Sequence, residues 1–120
     1  MSLPDDETPL LLHNPRCSKS RAALALLEER GLTFAERRYL DEPLTRDELD
    51  VLRARLGRPA NEWVRKGESA FGEAGLDGTS EESALLDAMA KHPILIERPI
   101  LVRGKRAVVG RPPENVLELL

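Results

Sequence analysis

The 120-residue chain holds one cysteine, one tryptophan, one tyrosine and two phenylalanines. A single cysteine closes no internal disulfide, and with two scattered histidines it does not reach the ligand spacing of a zinc site, so no metal is expected. Aromatic residues, 3% of the chain, are too few for the stacking platform that holds single-stranded nucleic acid. Apolar runs of membrane-spanning length are missing. The start, Met1-Ser2-Leu3-Pro4-Asp5-Asp6-Glu7, also lacks the charged-then-apolar texture of a leader, which together point to a soluble cytoplasmic protein with a reduced thiol. Nor is there an excess of basic charge: 18 Lys and Arg face 21 Asp and Glu, a net charge of -3 that speaks against a general nucleic-acid or membrane-surface binder. Repeats and low-complexity tracts are absent as well. The length suits one compact domain over residues 9–120, behind a polar, acidic, flexible lead-in over residues 1–8, and a monomer is expected.

What is present centres on Cys17. It stands in the turn His13-Asn14-Pro15-Arg16-Cys17-Ser18-Lys19-Ser20-Arg21, which leads from an apolar run into a helical pattern. At a helix mouth, unpaired N–H groups and the helix dipole stabilise a thiolate, and Arg16, Lys19 and Arg21 in the same turn push the thiol in the same direction. A lone cysteine is more often a small buried hydrophobe, but this charged neighbourhood is a poor place to bury one.

Leu10-Leu11-Leu12-His13 reads as a short buried strand stopped by Asn14-Pro15, and residues 18–30 as a helix ended by Gly31. An alternating stretch over residues 33–39 completes a βαβ unit with a parallel pair. Thr45-Arg46-Asp47-Glu48 is a capping-box pattern opening a helix that runs to Gly57, and Thr79-Ser80-Glu81-Glu82 is read as the same signal for a second helix. Residues 59–76 between them suggest short helical pieces and turns. Ile100-Leu101-Val102, a turn at Arg103-Gly104-Lys105 and Ala107-Val108-Val109 suggest a hairpin, and Pro112-Pro113 opens a last helix to residue 119.

The expected class is therefore α/β, with a mixed sheet and a helical insertion (about residues 45–91) between the second strand and the C-terminal β-hairpin. That order resembles the thioredoxin fold. The resemblance implies that Pro99, just before the third strand, is a cis-proline facing the cysteine.

Four pieces in register give a more specific match: Asn14-Pro15-Arg16-Cys17 with Ser20-Arg21, then Val64-Arg65-Lys66, then the block His92-Pro93-Ile94-Leu95-Ile96-Glu97-Arg98-Pro99-Ile100, and finally Gly110-Arg111-Pro112. In this the chain resembles the glutaredoxin-coupled arsenate reductase family. The resemblance implies that Cys17 is the nucleophile on arsenic and that Arg65, Arg98 and Arg111 grip the arsenate or its thiol adduct. His13, Asn14, Ser20 and Pro99 support the loop, and His13 matches a position that influences the cysteine. No resident cofactor is implied; the partners are arsenate, glutathione as co-substrate and glutaredoxin.

Residue chemistry agrees. An oxyanion brought to a thiolate places negative charges side by side, which a helix N-terminus and converging arginines offset. One thiol reduces As(V) to As(III) only by ending in a disulfide with an external sulfur, and Cys17-Ser18-Lys19-Ser20 has serine where a dithiol enzyme has its resolving cysteine. Members best known for arsenate reduction carry Gly-Thr where this chain has Ser18-Lys19, and the lysine adds charge and changes the loop. Two other readings keep the fold: a general glutathione-dependent thiol reductase, and a non-enzymatic regulator that binds RNA polymerase. His13 reads equally as a strand-end residue satisfied by backbone hydrogen bonds. His92, before proline, and Trp63, alone of its kind, read as structural.

Overall fold

The computed structural model describes residues 3–4 and 6–120. Strand β1 (Leu10–His13) is followed by helix α1 (Ser18–Glu29) and strand β2 (Ala35–Arg38). Then come α2 (Arg46–Leu56), a 3-10 turn at Ala60–Glu62, α3 (Ser69–Glu73), α4 (Glu82–Lys91) and a 3-10 turn at Pro93–Leu95. Strands β3 (Ile100–Arg103) and β4 (Arg106–Val109) close the sheet before a 3-10 helix at Pro113–Leu119.

The sheet order is β2-β1-β3-β4, with β1 parallel to β2 and antiparallel to β3. All four β1 residues are buried, because each face of this central strand is covered by a different layer. Successive strand side chains point to opposite faces, and the core divides accordingly. Leu11 and its partner Leu101 pack with Ala23 and Leu27 of α1 and with Val116 and Leu119 of the C-terminal 3-10 helix. Leu10, Leu12, Ile100 and Val102 face the helical insertion and meet Leu49, Leu52, Trp63 and Met89. Each fully buried leucine of this kind stabilises the fold by roughly 1.5–3 kcal/mol.

Local signals account for most boundaries. Thr45 caps α2 as its pattern requires: its side chain accepts from the Glu48 N–H (3.1 Å), and the Glu48 carboxylate accepts from the Thr45 N–H (3.0 Å). The helix ends at Gly57, whose φ of 65° is a left-handed conformation that glycine adopts without strain. The signal at Thr79 does not work this way. Helix α4 starts later, with Glu81 at its N-cap, since Thr79 donates to the Asp77 carboxylate and the Ser80 hydroxyl accepts from the Asp77 N–H. The two hydroxyls close an exposed turn before the helix instead of capping it.

One further expectation is revised: the C-terminal helix is a 3-10 helix starting at Pro113. Of the lead-in over residues 1–8, positions 1, 2 and 5 lie outside the described residues; at the others Leu3 is buried, Asp6 O accepts from the Gly104 N–H, and Arg103 Nε donates to Glu7 O. Gly104, at a φ of 60° in the two-residue hairpin turn, is where this strap crosses, and a Cβ there would lie 2.6 Å from a Glu7 oxygen.

Candidate active site

The loop after β1 aims Cys17. Asn14, itself buried, uses its side-chain oxygen to accept the Arg16 N–H and its carbonyl to accept the Cys17 N–H, both at 3.0 Å. Cys17 thereby becomes the N-cap of α1, half-buried and with an extended backbone (φ -97°, ψ 125°). An N-cap side chain normally accepts N–H groups from the second and third helical residues. The thiol forms no cap hydrogen bond of ordinary length, yet those N–H groups, of Lys19 and Ser20, still favour its charged form.

Partial burial pushes the Cys17 thiol up, but the Ser20 and Lys19 N–H groups, with the charge and hydrogen-bonding capacity of the Arg98 guanidinium, outweigh it and leave the thiol below its ordinary value. The cations expected to crowd the turn are not the main cause. Arg21 turns back to donate to Pro15 O at 2.9 Å, and the guanidinium that adds to the effect of the two N–H groups is that of Arg98, from a distant segment of the chain.

His13 and Ser20 brace the loop from inside. Nδ1 of His13 and Oγ of Ser20 are 2.7 Å apart, and the same Oγ accepts the Asn14 N–H at 3.0 Å. Both side chains are buried. Burial lowers the His13 pKa, keeping the ring neutral. Its connection to Cys17 runs through Ser20 and the loop backbone, and the partner that satisfies it is a side chain.

The three arginines do meet. An isolated bridge between Val64 and Ile96, with Arg65 N–H donating to Leu95 O (2.7 Å) and Glu97 N–H donating to Trp63 O (3.0 Å), lays Arg65 beside the Glu97-Arg98 segment. The peptide before Pro99 is cis, as is the one before Pro112. Gly110 donates to Pro99 O at 2.8 Å, and a Cβ at Gly110 would lie 2.8 Å from the Pro99 ring. Only glycine permits that approach, which sets the Arg111 loop against the Arg98 loop.

The meeting point is the carboxylate of Glu97. Its Oε1 lies 3.4 Å from Arg111 Nη1, 3.7 Å from Arg98 Nη1 and 4.0 Å from Arg65 Nε. Arg65 also pairs with Glu68, one turn on, and Arg111 Nη1 donates to Arg98 O at 3.3 Å. Of the three, Arg98 is the one that acts directly on the thiol.

Two members of the site escape a reading of the sequence. Glu97 sits inside the quoted His92 to Ile100 block, and its one signal is a negative charge directly before Arg98. Tyr39 follows β2, is 1% exposed, and its hydroxyl has no hydrogen-bond partner. Burial pushes its pKa up to about 12, against the opposing pull of Arg98 and Arg65, while Cys17 and Glu97 act with the burial. The phenol is thus a protonated donor in the electrostatic field of the site, and the only hint in the sequence is a sole tyrosine at the end of a strand.

Among the described residues, no group of three or more His, Cys, Asp or Glu side chains is placed to hold a metal ion, and no helix is long and apolar enough to cross a membrane.

The ArsC family profile matches residues 12–119. The chain is 46% identical over 112 residues to the arsenate reductase of Neisseria meningitidis, covering 92% of this chain and 96% of that protein. It is 38% identical over 113 residues to the arsenate reductase of Haemophilus influenzae, covering 92% and 97%. Among solved structures, the arsenate reductase from Vibrio cholerae is similar with a TM-score of 0.89 and 43% identity, covering 96% of this chain and 99% of that one.

Proposed function

From the premise that this chain belongs to the ArsC family, we propose that it is a cytoplasmic, monomeric arsenate reductase that draws its electrons from glutathione and glutaredoxin. The observation that carries the reading is the pairing of a cysteine favoured as thiolate at the N-terminus of α1 with the guanidinium of Arg98, itself grouped with Arg65 and Arg111. Thiolate and oxyanion repel each other, and the arginines offset that repulsion where the new bond forms.

In the proposed cycle the Cys17 thiolate attacks arsenic, and one oxygen leaves as water after protonation, giving a thiol ester of As(V). The thiol of glutathione then joins the arsenic. A sulfur–sulfur bond forms between Cys17 and glutathione as arsenic takes two electrons and leaves as arsenite. Overall one Cys17 thiol, one glutathione and one arsenic acid become one mixed disulfide, one arsenous acid and one water. Glutaredoxin then carries the glutathione off and restores the Cys17 thiol. The absence of a second cysteine in the chain supports an external reductant. A cavity beside the loop, bordered by Asn14, Pro15, Arg16, Arg38 and Asp41, holds two cations that could meet the carboxylates of an incoming glutathione, with Arg38 also paired to Glu36.

The test is arsenate reduction coupled to glutathione and glutaredoxin, with mass spectrometry of the protein. Arsenate-dependent turnover and one glutathione adduct on Cys17 are expected, both lost in Cys17→Ser. Turnover that survives in Cys17→Ser overturns the mechanism, and a glutathione cycle indifferent to arsenate moves the protein to general thiol reduction.

A further inference from the structure

The Glu97 carboxylate stands where the arginines of the oxyanion site converge. One oxygen is shared among three guanidiniums at 3.4, 3.7 and 4.0 Å, and it also accepts the backbone N–H of Arg98 at 3.3 Å. Those three separations are beyond or at the far edge of hydrogen-bonding distance. The carboxylate neutralises charge without satisfying the donors around it: Nε and Nη1 of Arg98, both buried, have no hydrogen-bond partner. Buried guanidinium N–H groups left in this state are costly, and a ligand with more acceptor oxygens would satisfy them.

We propose that Glu97 sets the affinity threshold of this site: its carboxylate is a resident competing anion that an incoming anion must displace from Arg65, Arg98 and Arg111. The proposal rests on the oxyanion reading above. Without Glu97, Arg98 and Arg111 would stand bare beside an Arg65 still paired with Glu68, and would attract any small anion. With a tethered carboxylate already among them, chloride or nitrate brings no more charge than it displaces and competes against a group held at high effective concentration. A doubly charged tetrahedral oxyanion brings more charge and four acceptor oxygens, enough to engage several guanidinium forks at once. The displaced carboxylate has room to move, since Glu97 borders a cavity of about 280 Å³ that Arg58 and Asn115 line together with the carboxylates of Glu62 and Glu118. Glu97 thus raises the threshold for every anion, so that weakly held ones such as chloride stay out at concentrations where an oxyanion with several acceptor oxygens still enters.

The experiment measures sulfate and chloride affinity of the full chain by calorimetry at fixed pH and ionic strength, for wild type, Glu97→Gln, Glu97→Asp and Arg98→Ala. Sulfate cannot be reduced by the thiol, so binding is read apart from chemistry. Glu97→Gln keeps size and removes charge. It is expected to bind sulfate about tenfold more tightly, the scale of one like-charge contact in a partly wet site, and chloride more tightly as well, because both are released from the same cost of displacing the carboxylate. Glu97→Asp, whose shorter chain reaches the three arginines less well, is expected to fall between, and it carries the test should the glutamine variant not fold. Sulfate affinity that is unchanged or weaker in the Gln variant, or in the Asp variant when that one stands in, while Arg98→Ala still weakens it, overturns the role of Glu97 and leaves the oxyanion site standing. No sulfate binding in wild type or in either Glu97 variant overturns both.

Discussion

Two arginine–glutamate arrangements in this chain use the same side-chain chemistry and end in opposite states. Between β2 and α2, Arg37 donates to both oxygens of Glu48 at 2.6 and 3.1 Å, and two more of its N–H groups reach Glu42 O at 2.9 Å and Pro43 O at 2.7 Å. Both side chains are more than nine-tenths buried. Between the insertion and the hairpin, three arginines share one Glu97 oxygen at longer range, and two Arg98 nitrogens are left over. The closed pair leaves no guanidinium nitrogen without a partner. The open cluster holds more positive charge than its own carboxylate can satisfy, and it stands beside a thiol whose charged form it favours. A partner at every nitrogen fits a structural ion pair, and unpartnered nitrogens fit the proposed binding site.

The comparison is broken most directly at Glu48. Glu48→Ala leaves a buried guanidinium without its counter-ion, for an expected loss of about 3–5 kcal/mol in stability by denaturant unfolding, whereas replacing both Arg37 and Glu48 with apolar residues of similar volume should cost far less. A Glu48→Ala loss below about 1 kcal/mol would show that the pair is not closed in solution.

Arg98→Ala is the counterpart in the open cluster. Sulfate affinity is expected to fall by about 10- to 100-fold, the worth of one or two charge-assisted hydrogen bonds. Thermal stability should stay within about 1 kcal/mol of wild type, because the residue removed carried unsatisfied donors. A large stability loss with intact anion binding would reverse the two assignments.

Acid titration separates the regions by pH. Burial lowers the His13 pKa from 6.5, so below that pH the unfolded chain takes up a proton that the folded loop refuses. Stability contributed by the neutral ring is complete above pH 6.5 and declines below it, by up to about 1.4 kcal/mol per pH unit, until the folded ring titrates too. Glu48 behaves differently. Its burial raises the carboxyl pKa, but Arg37 and the Thr45 N–H bring it below 4.5. The stability it contributes is therefore present above pH 4.5 and is lost as the pH falls through the lower folded value. His13→Asn should flatten the unfolding profile near pH 6 and leave the decline below pH 4.5 unchanged.

The smallest effect is expected at Tyr39. Removing its unpartnered buried hydroxyl in Tyr39→Phe should leave stability equal or raise it by up to about 1 kcal/mol in thermal unfolding. A loss of more than that would mean the hydroxyl has a structural partner and that the open cluster has one surplus donor fewer.

What was legible in the chain beforehand was whatever depends on neighbours within a few residues. The Leu10–His13 strand, the Thr45–Glu48 cap, the glycine end of α2 and the cysteine at the head of α1 are all set by short-range pattern and hydrogen bonding. Even there, Thr79 shows a limit, since its capping pattern serves a turn. The motifs named Arg65, Arg98 and Arg111 one by one, while the distances among them were out of reach.

By itself, then, the sequence determined the order of most elements, the place of the single cysteine at the head of a helix and, for the function proposed above, the need for an outside sulfur. Tertiary structure alone decided which guanidinium acts on that thiol, that one oxygen of Glu97 lies within 4.0 Å of all three arginines, and that Tyr39 is buried without a partner. The reason is physical: helix caps and strand patterns are satisfied within a turn or a strand, whereas the site is assembled by the Val64–Ile96 bridge and the Gly110–Pro99 approach, contacts that form only when distant segments pack.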